Sequence, residues 1–261
     1  MSITVKVKVL AGIAALACAG SALANTGTNL NQGVGDLFLN VVDTTNQTSF
    51  LFDTGISQAA FNGAVNGTPL NFSSDANWTS FYSSHAGDSF LFSVVSSTST
   101  GGRSATGTIF FTGATTPTPV AGANIGQAVG TIDAFATQAA NVSSATNNSA
   151  LLPTANYWGD SLREGFVSQQ LFPDPFSLSA APGTALAFYS ETSSALNDVN
   201  TLATLSTFAG KWNLDLTSGT LSYTAVPLPA PLVLLLSGLG LMGLVARRRN
   251  GANAFAFGAA A

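Results

Sequence analysis

A mainly β domain, built as a single β-sandwich or jelly-roll-like body with one or two helices, is what this sequence predicts between two apolar ends. Three observations carry the prediction. Short runs rich in Phe, Val, Ile and Leu recur between clusters of Ser, Thr, Asn and Gly. Only one stretch holds a helical period over several turns. Charged residues make up 8% of the chain, against about 25% in ordinary soluble domains, so surface polarity must come from hydroxyl and amide side chains. The stretch 25–225 has about 200 residues, enough for one hydrophobic core without covalent staples.

The elements follow in order. Residues 36–43 and 48–53 flank Thr44-Thr45-Asn46-Gln47 and read as a hairpin closed by a polar turn. Residues 88–96 and 106–112 are rich in Phe, Val and Ile, and the Ser/Thr/Gly segment 97–104 between them reads as a long hairpin loop. Further strands fall at 184–190 and 203–208. The clearest alternation comes last: Trp212, Leu214 and Leu216, a Thr217-Ser218-Gly219 turn, then Leu221 and Tyr223. Several such strands separated by turn signals argue a sandwich. Asn124 can cap the one long helix, which puts Ile125, Ala128, Val129, Ile132, Phe135, Ala136 and Ala139 on one face. Gly126 and Gly130 weaken it. Shorter helical turns fit 75–82 and 159–166, whereas Thr115-Thr116-Pro117-Thr118-Pro119 and 143–149 read as exposed loops. Neither a repeat of fixed period nor a second domain boundary is present.

The N-terminus reads as an export signal over residues 1–24. Lys6 and Lys8 precede an apolar stretch at 9–19, and Ala22-Leu23-Ala24 forms a small-x-small cleavage site that leaves Asn25 first. The apolar stretch is too short to span a bilayer comfortably. Cys18 follows Ala15-Leu16-Ala17, which lacks the branched residue that a lipidation site carries three positions before its cysteine. Cleavage removes this sole cysteine, and with it any disulfide, thiolate metal site or cysteine nucleophile. All twelve acids lie in 25–225 beside only three basic residues, Arg103, Arg163 and Lys211, for a net charge near −9. That balance argues against nucleic acid, whose affinity rests on Lys and Arg meeting phosphates.

At the other end, Val226-Pro227-Leu228-Pro229-Ala230 leads into an apolar run that stops at Arg247-Arg248-Arg249. The sixteen uncharged residues from Pro231 to Ala246, apolar or glycine except for Ser237, reach about 24 Å as a helix, and the whole 226–246 segment about 31 Å, close to a hydrocarbon thickness of roughly 30 Å. The arginines stay cytoplasmic by the positive-inside rule, which leaves the preceding domain outside. The two prolines keep the segment before the helix extended at the outer surface.

This constellation resembles the PEP-CTERM sorting domain in its VPLPA-type variant. The resemblance covers about 25 residues, and the agreeing signal peptide supports it. It implies recognition by an exosortase, a membrane enzyme of the cysteine protease and transpeptidase type in Gram-negative bacteria that make exopolysaccharide. Residues 226–230 would then be the recognition and cleavage region, the helix a temporary membrane anchor, and Arg247, Arg248 and Arg249 the stop signal. The chain departs from the archetype twice. Leu228 stands where Pro-Glu-Pro has its acid, and a tail, 250–261, continues past the arginines. A plain C-terminal anchor with a stop-transfer triplet is the simpler alternative.

The domain itself has little catalytic inventory. His85 is the only histidine, so a Ser-His-Asp triad would need it, with Asp88 nearby, and no Gly-x-Ser-x-Gly elbow singles out a serine. A solvated loop histidine explains it as well. Asp160 and Glu164 stand four apart, with Asp174 beyond them, and a glycosidase needs two carboxyls flanking the cleaved bond. Arg163 is equally near, so local ion pairing at a helix end competes with that reading. Trp78, Tyr82, Tyr157, Trp158 and Trp212 could stack on sugar rings, or else fill the core, as the alternation around Trp212 favours. Asp36, Asp43, Asp53, Asp75 and Asp88 lack the Asp-x-Asp-x-Asp spacing of a calcium loop. The six Asn-x-Ser/Thr triplets reflect composition.

The expectation is therefore an exported, non-enzymatic surface or matrix protein, with no catalytic residue, cofactor or metal. Its partners would be an exosortase, the membrane before processing, and exopolysaccharide in a biofilm. A carbohydrate-binding module using Trp78, Tyr82, Tyr157 and Trp158 is the first alternative, and a secreted glycoside hydrolase the second.

Overall fold

The computed structural model describes residues 35–61, 69–99, 105–142, 148–172 and 177–225. The stretches read as a signal peptide (1–24), a sorting segment (226–249) and a tail (250–261) lie outside them. The described residues form strands β1 (Asp36–Asp43), β2 (Thr48–Ser57), β3 (Leu70–Asn71), β4 (Phe90–Ser99), β5 (Gly107–Gly113), β6 (Ser149–Leu152), β7 (Leu186–Ser193), β8 (Thr204–Asp215) and β9 (Thr220–Ala225). Three helices interrupt them: α1 (Ala76–Ser84), α2 (Gly122–Val142) and α3 (Glu164–Leu171). The fold is mainly β, as the sequence predicts.

Two hairpins use one piece of turn chemistry. In the β1–β2 turn the Asp43 Oδ1 accepts the amides of Thr45 and Asn46 at 2.7 and 3.1 Å, and Gln47 closes the turn at φ +54°. In the β8–β9 turn the Asp215 Oδ1 accepts the amides of Thr217 and Ser218 at 2.9 and 3.3 Å, and Gly219 closes it at φ +58°. An aspartate before a four-residue turn satisfies amides that no strand can reach.

All nine strands belong to one antiparallel sheet, in the order β3-β9-β8-β7-β5-β4-β1-β2-β6. This differs from the two facing sheets of a sandwich. Pairing of β5 with β7, from Gly107 opposite Ser193 to Gly113 opposite Ala187, joins the two halves without a break. Alternating strands specify inward faces but not where a sheet ends, so one curled sheet and two stacked ones share the same pattern. The bend is visible where β4 and β5 part beyond the Val95–Phe111 pair. There Phe92 bridges to Ala180 instead, and Thr112 Oγ1 accepts the Val94 amide while donating to the Leu178 carbonyl.

Each sheet face has its own core. Every residue of β1 after Asp36 is buried, as in a central strand covered on both sides. On one face Phe38 and Val42 of β1 meet Leu51, Val95, Ile109 and Phe111 under α2 and α3. On the other, Leu37, Leu39 and Val41 share a cluster with residues of β8 and β9. Phe50 and Phe52 of β2 lie 5.6 and 5.3 Å from Phe72, which follows β3 at the far edge. Phe61, after β2, lies 5.1 Å from both Phe188 and Tyr223. The sheet thus curls until its ends meet over its own concave face, and α1 inserts Trp78 and Phe81 between them.

The predicted helix face is the observed one: Ile125, Ala128, Val129, Ile132, Phe135, Ala136 and Ala139 are all buried. Its start is not, since α2 begins at Gly122 and Asn124 lies inside it, donating to the Gln170 carbonyl near the end of α3 at 3.4 Å. The glycines explain the shift. A Cβ on Gly122 would sit 2.2 Å from the Ala195 carbonyl oxygen, and one on Gly126 2.2 Å from that of Leu196. Close backbone approach thus offsets the helical propensity these residues lack. β6 begins at Ser149, the last residue of the stretch read as a loop, and β8 is one twelve-residue strand that spans two predicted ones. Asp75 caps α1 by accepting the Trp78 amide.

The aromatic closure carries a measurable load. Phe50→Ala empties the point where Phe52, Phe72, Trp78 and Phe81 converge, and urea denaturation should show a loss of about 3–5 kcal/mol. Leu162→Ala, at an exposed side chain, should change stability by less than about 0.5 kcal/mol.

Candidate functional site

The candidate sugar-stacking residues do not form a surface platform. Trp78 is 3% exposed and stacks edge-on against Phe50 and Phe72. Trp158 is fully buried, with its ring 4.7 Å from Phe135 and its Nε1 donating to Ser93 Oγ. Tyr82 is half-buried and stacks on Trp78 at 5.5 Å, and Tyr157 is half-buried beside α3. The two pairs lie on opposite sheet faces, Trp78 and Tyr82 in one core and Trp158 and Tyr157 in the other. They therefore share no groove. Trp212 is in the core, as its alternation predicts.

Asp160 and Glu164 part ways. Asp160 anchors a turn: its Oδ1 accepts the amides of Leu162 and Arg163, and its Oδ2 pairs with Arg163 Nη1. Arg163 also reaches Gln138 of α2 and Asn156. Glu164 opens α3 and points into the protein, 1% exposed. Neither of its oxygens has full hydrogen-bond geometry with a donor, although the Ser179 hydroxyl is close enough to offset part of the burial cost. Burial is the larger effect and pushes its pKa up to about 7. Asp174 lies outside the described residues.

His85 sits at the C-terminal end of α1, beside a cleft of about 260 Å³ that also involves Thr48, Ser80, Ser84, Leu151 and Pro153. Its Nδ1 is 2.6 Å from the Phe81 carbonyl oxygen, so that nitrogen carries the hydrogen. Its Nε2 faces Asp43 Oδ2 at 3.6 Å. With one nitrogen donating to a carbonyl and the other turned to a carboxylate, neither is free to take a proton from Ser80 or Ser84. Asp88, the acid expected to assist His85, instead accepts from Asn46 Nδ2 at 2.7 Å. Asp43 is held below the usual carboxylate range. Burial raises it, but the Asn46 side chain and the amides of Asn46 and Thr45 outweigh that.

A set of buried polar groups on the α2 face escapes a reading by motif. Asn40, in the middle of β1, is fully buried with neither side-chain atom hydrogen-bonded among the described residues. It stands opposite Ser93, which holds Trp158. Asp53 of β2 has its pKa raised to about 6 by burial, partly offset by the Gly55 amide and reinforced by Asp36. Glu191 of β7 is raised to about 7 by burial, partly offset by the Val120 amide. β2 and β7 are four strand steps apart, ~19 Å along the sheet, so Asp53 and Glu191 cannot flank one bond. A lone polar residue inside an apolar run, as in Asp36–Asp43, was the available signal for Asn40.

Among the described residues no group of three or more His, Cys, Asp or Glu could hold a metal ion, and no helix is long and apolar enough to cross a membrane. No family model, no curated protein and no solved structure matches this chain.

The buried acids set a pH dependence. A carboxyl whose folded pKa is raised contributes most below its unfolded value and loses that contribution as pH rises through the folded value. For Glu164 and Glu191 the window runs from 4.5 to about 7. For Asp53 it runs from 3.8 to about 6. Thermal unfolding should therefore show lower stability at pH 8 than at pH 5. Glu164→Gln, which keeps the shape without the charge, should remove part of that slope, on the order of 2–3 kcal/mol.

Proposed function

We propose that this chain is an exported surface or matrix protein of a Gram-negative bacterium, carried through the inner membrane and processed at residues 226–230 by an exosortase. The ordered constellation at the C-terminus carries the reading: Val226-Pro227-Leu228-Pro229-Ala230, sixteen uncharged and predominantly apolar residues, then Arg247-Arg248-Arg249. A protein spared by its helix until cleavage would be held at the outer face of the membrane and then released or transferred. Within exopolysaccharide, it would act through its folded surface rather than by turnover.

The domain supports this. Its surface is polar with few charges, as suits a neutral, hydrated polysaccharide gel. The buried Trp78 and Trp158 favour a structural role over a sugar-binding module, and the separation of Asp160 from Glu164 favours it over a hydrolase.

The test is the C-terminal mass of the mature protein from its own host, with and without the candidate exosortase. Loss of everything beyond the 226–230 region, only when the enzyme is present, is the expected result. An intact chain ending at Ala261 in both strains would make the helix a permanent anchor.

A further inference from the structure

Three buried side chains on the α2 and α3 face of the sheet hold polar atoms with no hydrogen-bond partner among the described residues. They are both amide atoms of Asn40, the Ser179 hydroxyl and both carboxyl oxygens of Glu164. Asn40 is fully buried, Glu164 is 1% exposed and Ser179 6%. A buried polar group left unpaired costs more than a made hydrogen bond returns. Such groups are rare singly, so three in one place call for a common cause.

Register places them in one line. Phe38 and Val42, two residues either side of Asn40, belong to the core under α2, as does Val95, two residues beyond Ser93. Side chains alternate along a strand, so Asn40 and Ser93, which stand opposite each other, face the same way. On the other side of β4, Phe92 exchanges both backbone hydrogen bonds with Ala180. One step along, Ser93 therefore meets Ser179. Glu164, at the start of α3, lies against the Ser179 hydroxyl. The four residues form a polar seam that runs from the central strand to α3. Its walls are apolar, with Leu51 facing Asn40 from β2. Trp158 donates its amide to Ser49 of β2 and its Nε1 to Ser93 of β4, and so bridges across β1 between them. Ser93 accepts that bond and keeps its own hydrogen.

Neighbouring strands are ~4.8 Å apart, and a water making bonds of ~2.8 Å joins atoms up to ~5.6 Å apart. Apolar walls offer these groups nothing, whereas a water with two to four polar partners is stable in such a place. We propose that the seam is a binding site for internal water, which bridges Asn40 and Ser93 and continues past Ser179 to Glu164. The site does not depend on the sorting reading. Water in it joins the first residue of α3 to the central strand, a link that neither Asn40 nor Glu164 makes directly.

Two experiments on the full chain in detergent test the site. A crystal structure that resolves ordered water should show a peak within ~3.2 Å of both the Asn40 amide and the Ser93 hydroxyl. A direct Asn40–Ser93 hydrogen bond, or an empty seam, would overturn the proposal. Thermal unfolding is the second experiment. Asn40→Leu stays close to asparagine in shape but removes the partners for water. If the amide were simply orphaned, leucine would relieve it and the Tm would rise. Loss of a water bridge should instead lower the Tm by ~3 °C or more. The fall should be larger at pH 8 than at pH 5, because Glu164, with its pKa near 7, is ionised at the higher pH and then needs water most. Its ionisable neighbours, Tyr157 and the Asp160–Arg163 pair, are the same in every variant. A rise, or an equal fall at both pH values, would sink the idea. Asn40→Ser and Asn40→Ala guard against a leucine that fails to fit. Serine keeps a hydroxyl for the water and should unfold at a higher temperature than alanine; the reverse order would also overturn the site.

Discussion

Contact between Phe72 and the Phe50–Phe52 pair is the constraint on which the rest of the structure depends. These rings come from opposite ends of a nine-stranded sheet, and only a curled sheet brings them together. Right-handed twist supplies curvature without further cost, and the parting of β4 from β5 adds a corner. Without the closure, the face formed by Leu37, Leu39, Val41, Phe92 and Val94 would have only α1 to cover it. That helix is nine residues long and buries two side chains. The sheet must therefore be its own lid, and the aromatic side chains, with their large area per residue, are what make one short helix sufficient.

The same constraint explains which parts of the fold were legible. Alternation in 212–223 reports a local fact, which side of a strand is apolar, and the structure agrees there, with Trp212, Leu214, Leu221 and Tyr223 buried. Turn chemistry is also local, so the hairpins around Thr44 and Ser218 could be placed. Sheet continuity is not local. Pairing of β5 with β7 joins segments separated by α2, β6 and α3, and nothing in either strand announces its partner. β6 was hidden for a related reason: four residues, Ser149 to Leu152, that begin where a polar stretch ends are a strand by pairing with β2. Asn124 misled because a capping residue type can also reach a neighbouring helix.

Site residues were less legible than fold residues, and scarcity of charge is the physical cause. When a chain has twelve acids, each attracts attention as a candidate site, yet here several of them hold turns and caps. Asp43, Asp75, Asp160, Asp198 and Asp215 all accept backbone amides two or three residues ahead. Tryptophans flanked by Asn, Ser and Gly look like surface residues, but Trp78 and Trp158 are seated by short elements that turn inward, a capped helix and the stretch leading into α3.

Glu164, Glu191 and Asp53 differ in that burial is the larger effect on each, although Asp53 also accepts the Gly55 amide. Below about pH 6 each is a neutral polar group inside a core and not a fixed charge, which suits a domain with only three basic residues to offer as partners. A charge-poor exterior has a cost of its own, since lysines and arginines are the usual guards of open strand edges. Lys211 is the only one on β8 or β9. Among the described residues the 204–209 edge instead carries exposed Thr204, Ser206 and Thr207, hydroxyl side chains that stay hydrated without a charge.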